Sequence, residues 1–338
     1  MSIEININCD LGEKSKHHSN KHDPDLLEIV NSANIACGYH AGDEETMNQV
    51  VEISKKNGVS IGAHPSFNDP ENFGRERMNL SSSELEKLIT DQYEILQTIS
   101  SNHGENVTHI KPHGALNNMA CEDIDLATTL AKVIKRINPD LIYLVPTGSK
   151  MEQAAKKLDM KIACEIFADR NYEDDGNLVS RKKPHALITD PEQAKKHVLK
   201  MVQTQSLNCH SGKQIPCEID SVCIHGDNIS SLETAKSIRK NLLDNGLKLE
   251  TLNKMKKFIC SLFVGGLLSF APMFSVAQSQ SAMEAYLCTL NDGTSMSDLM
   301  EVVEDWNDWS DEKGITSYSA WVLNPIFVSN ADLNRQAL

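Results

Sequence analysis

A chain of 338 residues can bury a sizeable core, and an α/β barrel can use about 250 residues as one domain. The formal net charge of -14, from 47 acidic against 33 basic residues, argues against nucleic acid as a partner, because that binding is driven by Lys and Arg releasing counterions from phosphates. Nine scattered cysteines, odd in number and without a Cys-x-x-Cys pair, give no sign of a zinc knuckle or redox motif and fit a reducing, cytoplasmic compartment.

Residues 3–9 alternate strictly, with Ile3, Ile5, Ile7 and Cys9 on one side and Glu4, Asn6 and Asn8 on the other, which predicts a strand ended by Asp10-Leu11-Gly12. The same cadence recurs at 33–37, 59–63, 108–111, 141–145, 161–166 and 221–224, giving seven strands. Amphipathic helices are expected between them, over 44–57 behind Asp43 and after a Ser81-Ser82-Ser83-Glu84 start, then over 123–136, 191–204 and 231–245. Strands alternating with helices of this length imply parallel pairing through crossovers. The expected α/β fold is a seven-stranded parallel β/α barrel forming a catalytic domain over residues 1–254, with an open doubly wound sheet as the alternative. No Gly-x-Gly-x-x-Gly follows a strand and no Gly-x-x-x-x-Gly-Lys-Ser/Thr occurs, so no dinucleotide or P-loop site is visible.

The first nine residues lack the basic-then-apolar order of a secretion signal, whereas residues 255–280 have it in full. Met255-Lys256-Lys257 precedes twenty uncharged, mostly apolar residues, 258–277, which close with Ser275-Val276-Ala277. Two explanations compete: a membrane helix, for which about twenty residues suffice, or a neighbouring reading frame joined to the first. The joined frame is favoured by the internal methionine, the cleavage-like end and a break in composition. Residues 281–338 form an acidic tail with ten acidic and two basic residues, and all three tryptophans lie beyond residue 300. A membrane partner is expected only if 258–277 inserts.

Chemistry in such folds gathers where strands end and the next loop begins. The unusual polar residues stand there: Asp10 and Glu13 after the first strand, His40 and Asp43 after the second, and His64 after the third. Lys111 and His113 follow the fourth strand, Glu165, Asp169 and Arg170 the sixth, and His225 and Asp227 the seventh. Glycines flank nearly every one, as expected where a backbone turns sharply or approaches a ligand. Lys16, His17, His18 and His22 sit in a polar loop and read as solvated surface. The assembled types permit acyl transfer at an amide: imidazoles and carboxylates exchange protons with water and a leaving nitrogen, while Lys and Arg hold anionic oxygens. Asp10 with His40, His64 or His113 could instead hold a divalent metal, a choice that spacing leaves open because the ligands come from separate strands.

Taken in order, Asn8-Cys9-Asp10-Leu11-Gly12-Glu13, the segment 32–43 (SANIACGYHAGD), Gly62-Ala63-His64-Pro65, Lys111-Pro112-His113-Gly114-Ala115-Leu116, Phe167-Ala168-Asp169-Arg170 and His225-Gly226-Asp227 closely resemble the LamB/YcsF family, the A subunits of ATP-dependent 5-oxoprolinase. The resemblance spans residues 3–250. It implies a distorted seven-stranded β/α barrel of the glycoside hydrolase and deacetylase type. It also implies that, with subunits B and C, such a chain helps convert 5-oxo-L-proline, ATP and water to L-glutamate, ADP and phosphate, with ATP a co-substrate held mainly through the partners. Under that reading His40, His64, His113 and His225 are acid or base candidates. Asp10, Glu165, Asp169 and Asp227 orient them or activate water, and Glu13, Asp43, Lys111 and Arg170 bind substrate. The alternative is a self-sufficient metal-dependent amidase or carbohydrate deacetylase. Tyr39, Glu44 and Asn117 stand where the family commonly has Phe, Pro and Tyr, and nothing in the family pattern corresponds to residues 255–338.

Overall fold

The computed structural model describes residues 3–16, 18–180, 182–225 and 231–255, together with two short segments near the C-terminus. The chain divides into two units, 1–261 and 262–338. In the first, strands β1 (Glu4–Leu11), β2 (Ser32–Ala36), β3 (Ser60–His64), β4 (Val107–Ile110), β5 (Ile142–Pro146), β6 (Ile162–Phe167) and β9 (Ser221–His225) pair in parallel in that order. Pairing of β9 with β1, Asn6 opposite Ser221 and Asp10 opposite His225, closes the ring and settles barrel against open sheet. A short β10 (Lys248–Leu249) pairs with the start of β1 outside the ring. In the second unit, among the described residues, β11 (Val322–Leu323) runs antiparallel to β12 (Gln336–Ala337). The expected signal-like segment and acidic tail otherwise lie outside the described residues. Among the described residues no helix is long and apolar enough to cross a membrane.

The alternation in β1 sorts its residues between two buried faces. Ile5, Ile7, Cys9 and Leu11 join the apolar layer beneath the helices, while Asn6 and Asn8 face the barrel interior, fully buried. That interior is polar: Asn6 donates to Ser32 at 2.8 Å, Asn8 to Ser221 at 2.8 Å and Asn34 to Asn8 at 2.8 Å. Buried amides and hydroxyls are tolerable only when so paired.

Helices α2 (Glu44–Asn57), α3 (Ser82–Asn102), α5 (Ile124–Ile137), α7 (Pro191–Thr204) and α8 (Ser231–Asp244) stand where the periodicity puts them. Asp43 caps α2 by accepting from the Thr46 N–H, and Ser81 with Glu84 forms the expected capping box of α3. Short helices α1 (Asp23–Leu26), α4 (Gly114–Glu122) and α6 (Lys150–Lys157), and the hairpin of β7 (Ser206–Asn208) with β8 (Gln214–Pro216), complete the described elements. Gly62 has a different use from a tight turn. A Cβ there would lie 2.1 Å from Nε2 of His109, so the missing side chain makes room for an imidazole inside the barrel.

Candidate active site

At the C-terminal ends of the strands, Lys111 reaches across the barrel mouth. Its ammonium lies 3.0 Å from Asp10 Oδ1 and 3.2 Å from Glu165 Oε2, with Asn8 Oδ1 at 3.3 Å and Cys223 Sγ at 3.1 Å. Burial works against its charge, but the two carboxylates outweigh it and hold the pKa well above the ordinary value. Burial pushes the Cys223 thiol up as well, so its sulfur is a protonated, weak acceptor. Asn34 donates to Asp10 Oδ1 at 2.8 Å, and His109 Nε2 lies 3.1 Å from Asn34 Oδ1, which fixes the amide from behind. Glu165 is fully buried and its pKa is raised by that burial, with Lys111 pulling the other way; Oε2 takes the bonds from Lys111 and Asn8, while Oε1 has no partner among the described residues.

Beside this network stand three imidazoles and Glu13. His64 Nδ1 lies 2.7 Å from the Lys111 carbonyl and His113 Nε2 lies 3.0 Å from the Phe73 carbonyl. The inner nitrogens, His64 Nε2 and His113 Nδ1, are 3.0 Å apart. His40 stacks on His113 with ring centroids 3.9 Å apart, and its Nε2 lies 3.0 Å from Glu13 Oε1. Burial drives all three pKa values down, to about 3 for His40 and His113 and well below the usual value for His64, so the rings are neutral at physiological pH. Loop 65–76 covers the cluster tightly: a Cβ on Gly74 would meet Ser66 Oγ at 2.1 Å and both His113 and His40 at 3.0 Å.

The structure thus brings together Asp10, Glu13, His40, His64, Lys111, His113 and Glu165. Asp43 stands apart, exposed, its carboxylate hydrogen-bonded to Thr46 as a helix cap. Asp169 is half-buried and its carbonyl accepts from Ile188 N–H; Arg170 donates to the Val179 carbonyl at 2.8 Å, and both thereby secure loop 170–190. The backbone of His225 pairs with Asp10, but its side chain and Asp227 lie outside the described residues. Glu13 groups with His40, His64 and His113, their ligand atoms lying within 4.8 Å of one another, and Asp10 Oδ2 stands 3.5 Å from His64 Nε2. His18, read as solvated surface, stacks on Phe73 at 4.1 Å, and Phe73 packs edge-on against His40 and His113. Sequence reasoning also passed over Asn34, Cys223 and Phe73. Phe73 contributes a carbonyl from a backbone at φ 58°, and no local signature marks it beyond the following glycine.

Residues 5–257 match the LamB/YcsF family. The chain belongs to this family. It is 45% identical over 246 residues to the 5-oxoprolinase A subunit of Nitrobacter hamburgensis, covering 72% of this chain and 96% of that protein. The corresponding figures for the 5-oxoprolinase A subunit of Clostridium beijerinckii are 42% over 252 residues, 75% and 99%. Among solved structures, a lactam utilization protein from Thermus thermophilus superposes with a TM-score of 0.69 at 33% identity, over 74% of this chain and all of that one. The matched length ends near residue 257, where the family barrel is complete, so the remaining residues carry nothing of the family pattern.

Proposed function

We propose that this chain is the A subunit of an ATP-dependent 5-oxoprolinase, a cytoplasmic hydrolase that opens the five-membered lactam of 5-oxo-L-proline to L-glutamate together with subunits B and C. The observation that carries the reading is the buried Lys111 ammonium held between Asp10 and Glu165, beside three neutral imidazoles, in a chain that over 246 residues is 45% identical to a protein of that name. An unstrained lactam is a poor electrophile. We assign its activation, by phosphorylation of the carbonyl oxygen at the expense of ATP, to the partner subunits, which accords with the absence of nucleotide motifs here.

The chemistry assigned to this chain begins with the activated lactam. Water adds to the carbonyl carbon as the Glu13 carboxylate, the most open member of the cluster, takes its proton. Lys111 holds the negative charge of the phosphorylated oxygen and of the oxygen that water brings. Collapse breaks the C–N bond as Glu13 returns the proton to the leaving nitrogen and the new hydroxyl gives up its own, and the resulting acyl phosphate yields glutamate and phosphate with a second water.

Purified full-length chain added to subunits B and C should produce glutamate from 5-oxoproline in proportion to ADP formed. Glutamate release no greater than that of B and C alone would sink the reading. A second reading, a self-sufficient metal-dependent amidase, is favoured by the Glu13, His40, His64 and His113 grouping and predicts turnover without ATP or partners.

A further inference from the structure

Three contacts run in a line through two imidazoles: the Lys111 carbonyl to His64 Nδ1 at 2.7 Å, His64 Nε2 to His113 Nδ1 at 3.0 Å, and His113 Nε2 to the Phe73 carbonyl at 3.0 Å. Each contact needs one hydrogen. Two neutral imidazoles carry two, and both terminal partners are carbonyls that can only accept. The carbonyls therefore claim both N–H groups, and the inner nitrogens face each other as two lone pairs, an arrangement that asks for a cation. A third proton would create a desolvated imidazolium, which the enclosure of both rings opposes.

The neighbouring donors complete the set. Glu13 Oε1 lies 3.0 Å from His40 Nε2, 3.2 Å from His113 Nδ1 and 3.9 Å from His64 Nε2. A tetrahedral zinc site with bonds of about 2.0–2.1 Å has donors about 3.4 Å apart, so these separations need adjust by only about half an ångström. The two carbonyls would fix the ring orientations from outside, the usual outer partners of metal-bound histidine. Asp10 is left out of the set because its carboxylate is already engaged by Lys111 and Asn34.

We propose that Glu13, His40, His64 and His113 form a site for one divalent ion of the zinc class, in which Glu13 is the exchangeable ligand. Three imidazoles and one carboxylate suit zinc or cobalt, whereas calcium and magnesium favour all-oxygen shells. Glu13 is assigned the labile role because its side chain is 17% exposed, against 0%, 1% and 9% for His40, His64 and His113. Water or an anionic oxygen entering from the mouth replaces it without disturbing the histidines. The assignment rests on the geometry alone and holds whichever substrate the chain serves.

The test is titration of untagged, chelator-stripped full-length chain with Co2+ alone. One ion per chain is expected, with the ligand-field spectrum of tetrahedral cobalt, displaced by Zn2+. His113→Gln should weaken binding by about 100-fold, and Glu13→Gln by about 10-fold with a changed spectrum. Asp10→Asn should keep both affinity and spectrum within a few-fold. Circular dichroism identifies any variant that fails to fold, and Glu13→Gln, at the most open position, keeps the test decisive if the histidine variant does not. Absence of binding to the wild-type chain at micromolar metal, or equal binding by wild type, His113→Gln and Glu13→Gln, would overturn the proposal.

Discussion

At the C-terminal ends of the barrel strands, seven ionisable side chains crowd into one buried cluster. At the opposite ends of β4, β5 and β6 lies a cavity of about 650 Å3, lined by Val107, Thr108, Ile142, Ile162, Ala163, Leu252 and Met255 with a few polar residues at its lip. That cavity holds little that could move a proton, its charged lip pair Lys161 and Asp140 being solvent-exposed. Volume and chemistry are thus separated in this barrel. The contrast teaches that a site here is marked by ionisable groups driven far from their ordinary pKa by enclosure, rather than by space.

Three substitutions test that division. The largest effect is expected for Lys111→Met, which strands Asp10 and Glu165 as buried charges: turnover with the partner subunits should fall at least about 1,000-fold, and unfolding in urea should show a loss of about 3–5 kcal/mol. At the other end, Leu252→Ala removes a buried side chain that packs with Leu144 and Ala163. It should lower stability by about 2–4 kcal/mol while leaving turnover per folded molecule within a factor of two. Equal loss of activity in both variants would erase the distinction between the ends.

The smallest effect is a gain. Burial pushes the Asp23 carboxyl up to about 7 although it accepts the Gly12 N–H at 2.8 Å, which pulls the other way. The unfolded chain releases that proton near 3.8, so between about 4 and 7 rising pH favours unfolding, and below that window the group contributes nothing. Asp23→Asn keeps the acceptor and cannot ionise. Thermal unfolding should therefore show a gain on the order of 2 kcal/mol at pH 8 that vanishes near pH 3.5.

Much of this was legible in the sequence because strand ends announce themselves. The seven strands, the five longer helices and the cap residues followed from periodicity and local hydrogen-bonding chemistry, and the rim positions from their glycine-flanked turns. Closure of the ring was expected, and the resemblance rather than periodicity supported it, since closure depends on β9 finding β1. The pairing of Lys111 with Asp10 and Glu165 did not follow, because it relies on one long side chain crossing the mouth between three strands. Asp43 shows two readings of one residue: the helix start expected of it is seen in its bond to the Thr46 N–H, while its side chain stands apart from the buried cluster. The Phe73 carbonyl was unreadable because any residue type presents a carbonyl, and only the fold decides where it points.

The ring closure has a consequence for biosynthesis. β1 bonds on one side to β2, close in sequence, and on the other to β9, more than two hundred residues later. During translation the nascent chain can assemble a curved sheet from its first strand onward, but the gap stays open until residue 225 has emerged from the ribosome. Until then β1 and β6 present unsatisfied edges, the kind of surface that recruits another incomplete chain. Ribosomal stalling or early termination before that residue should therefore yield aggregates rather than a smaller soluble barrel.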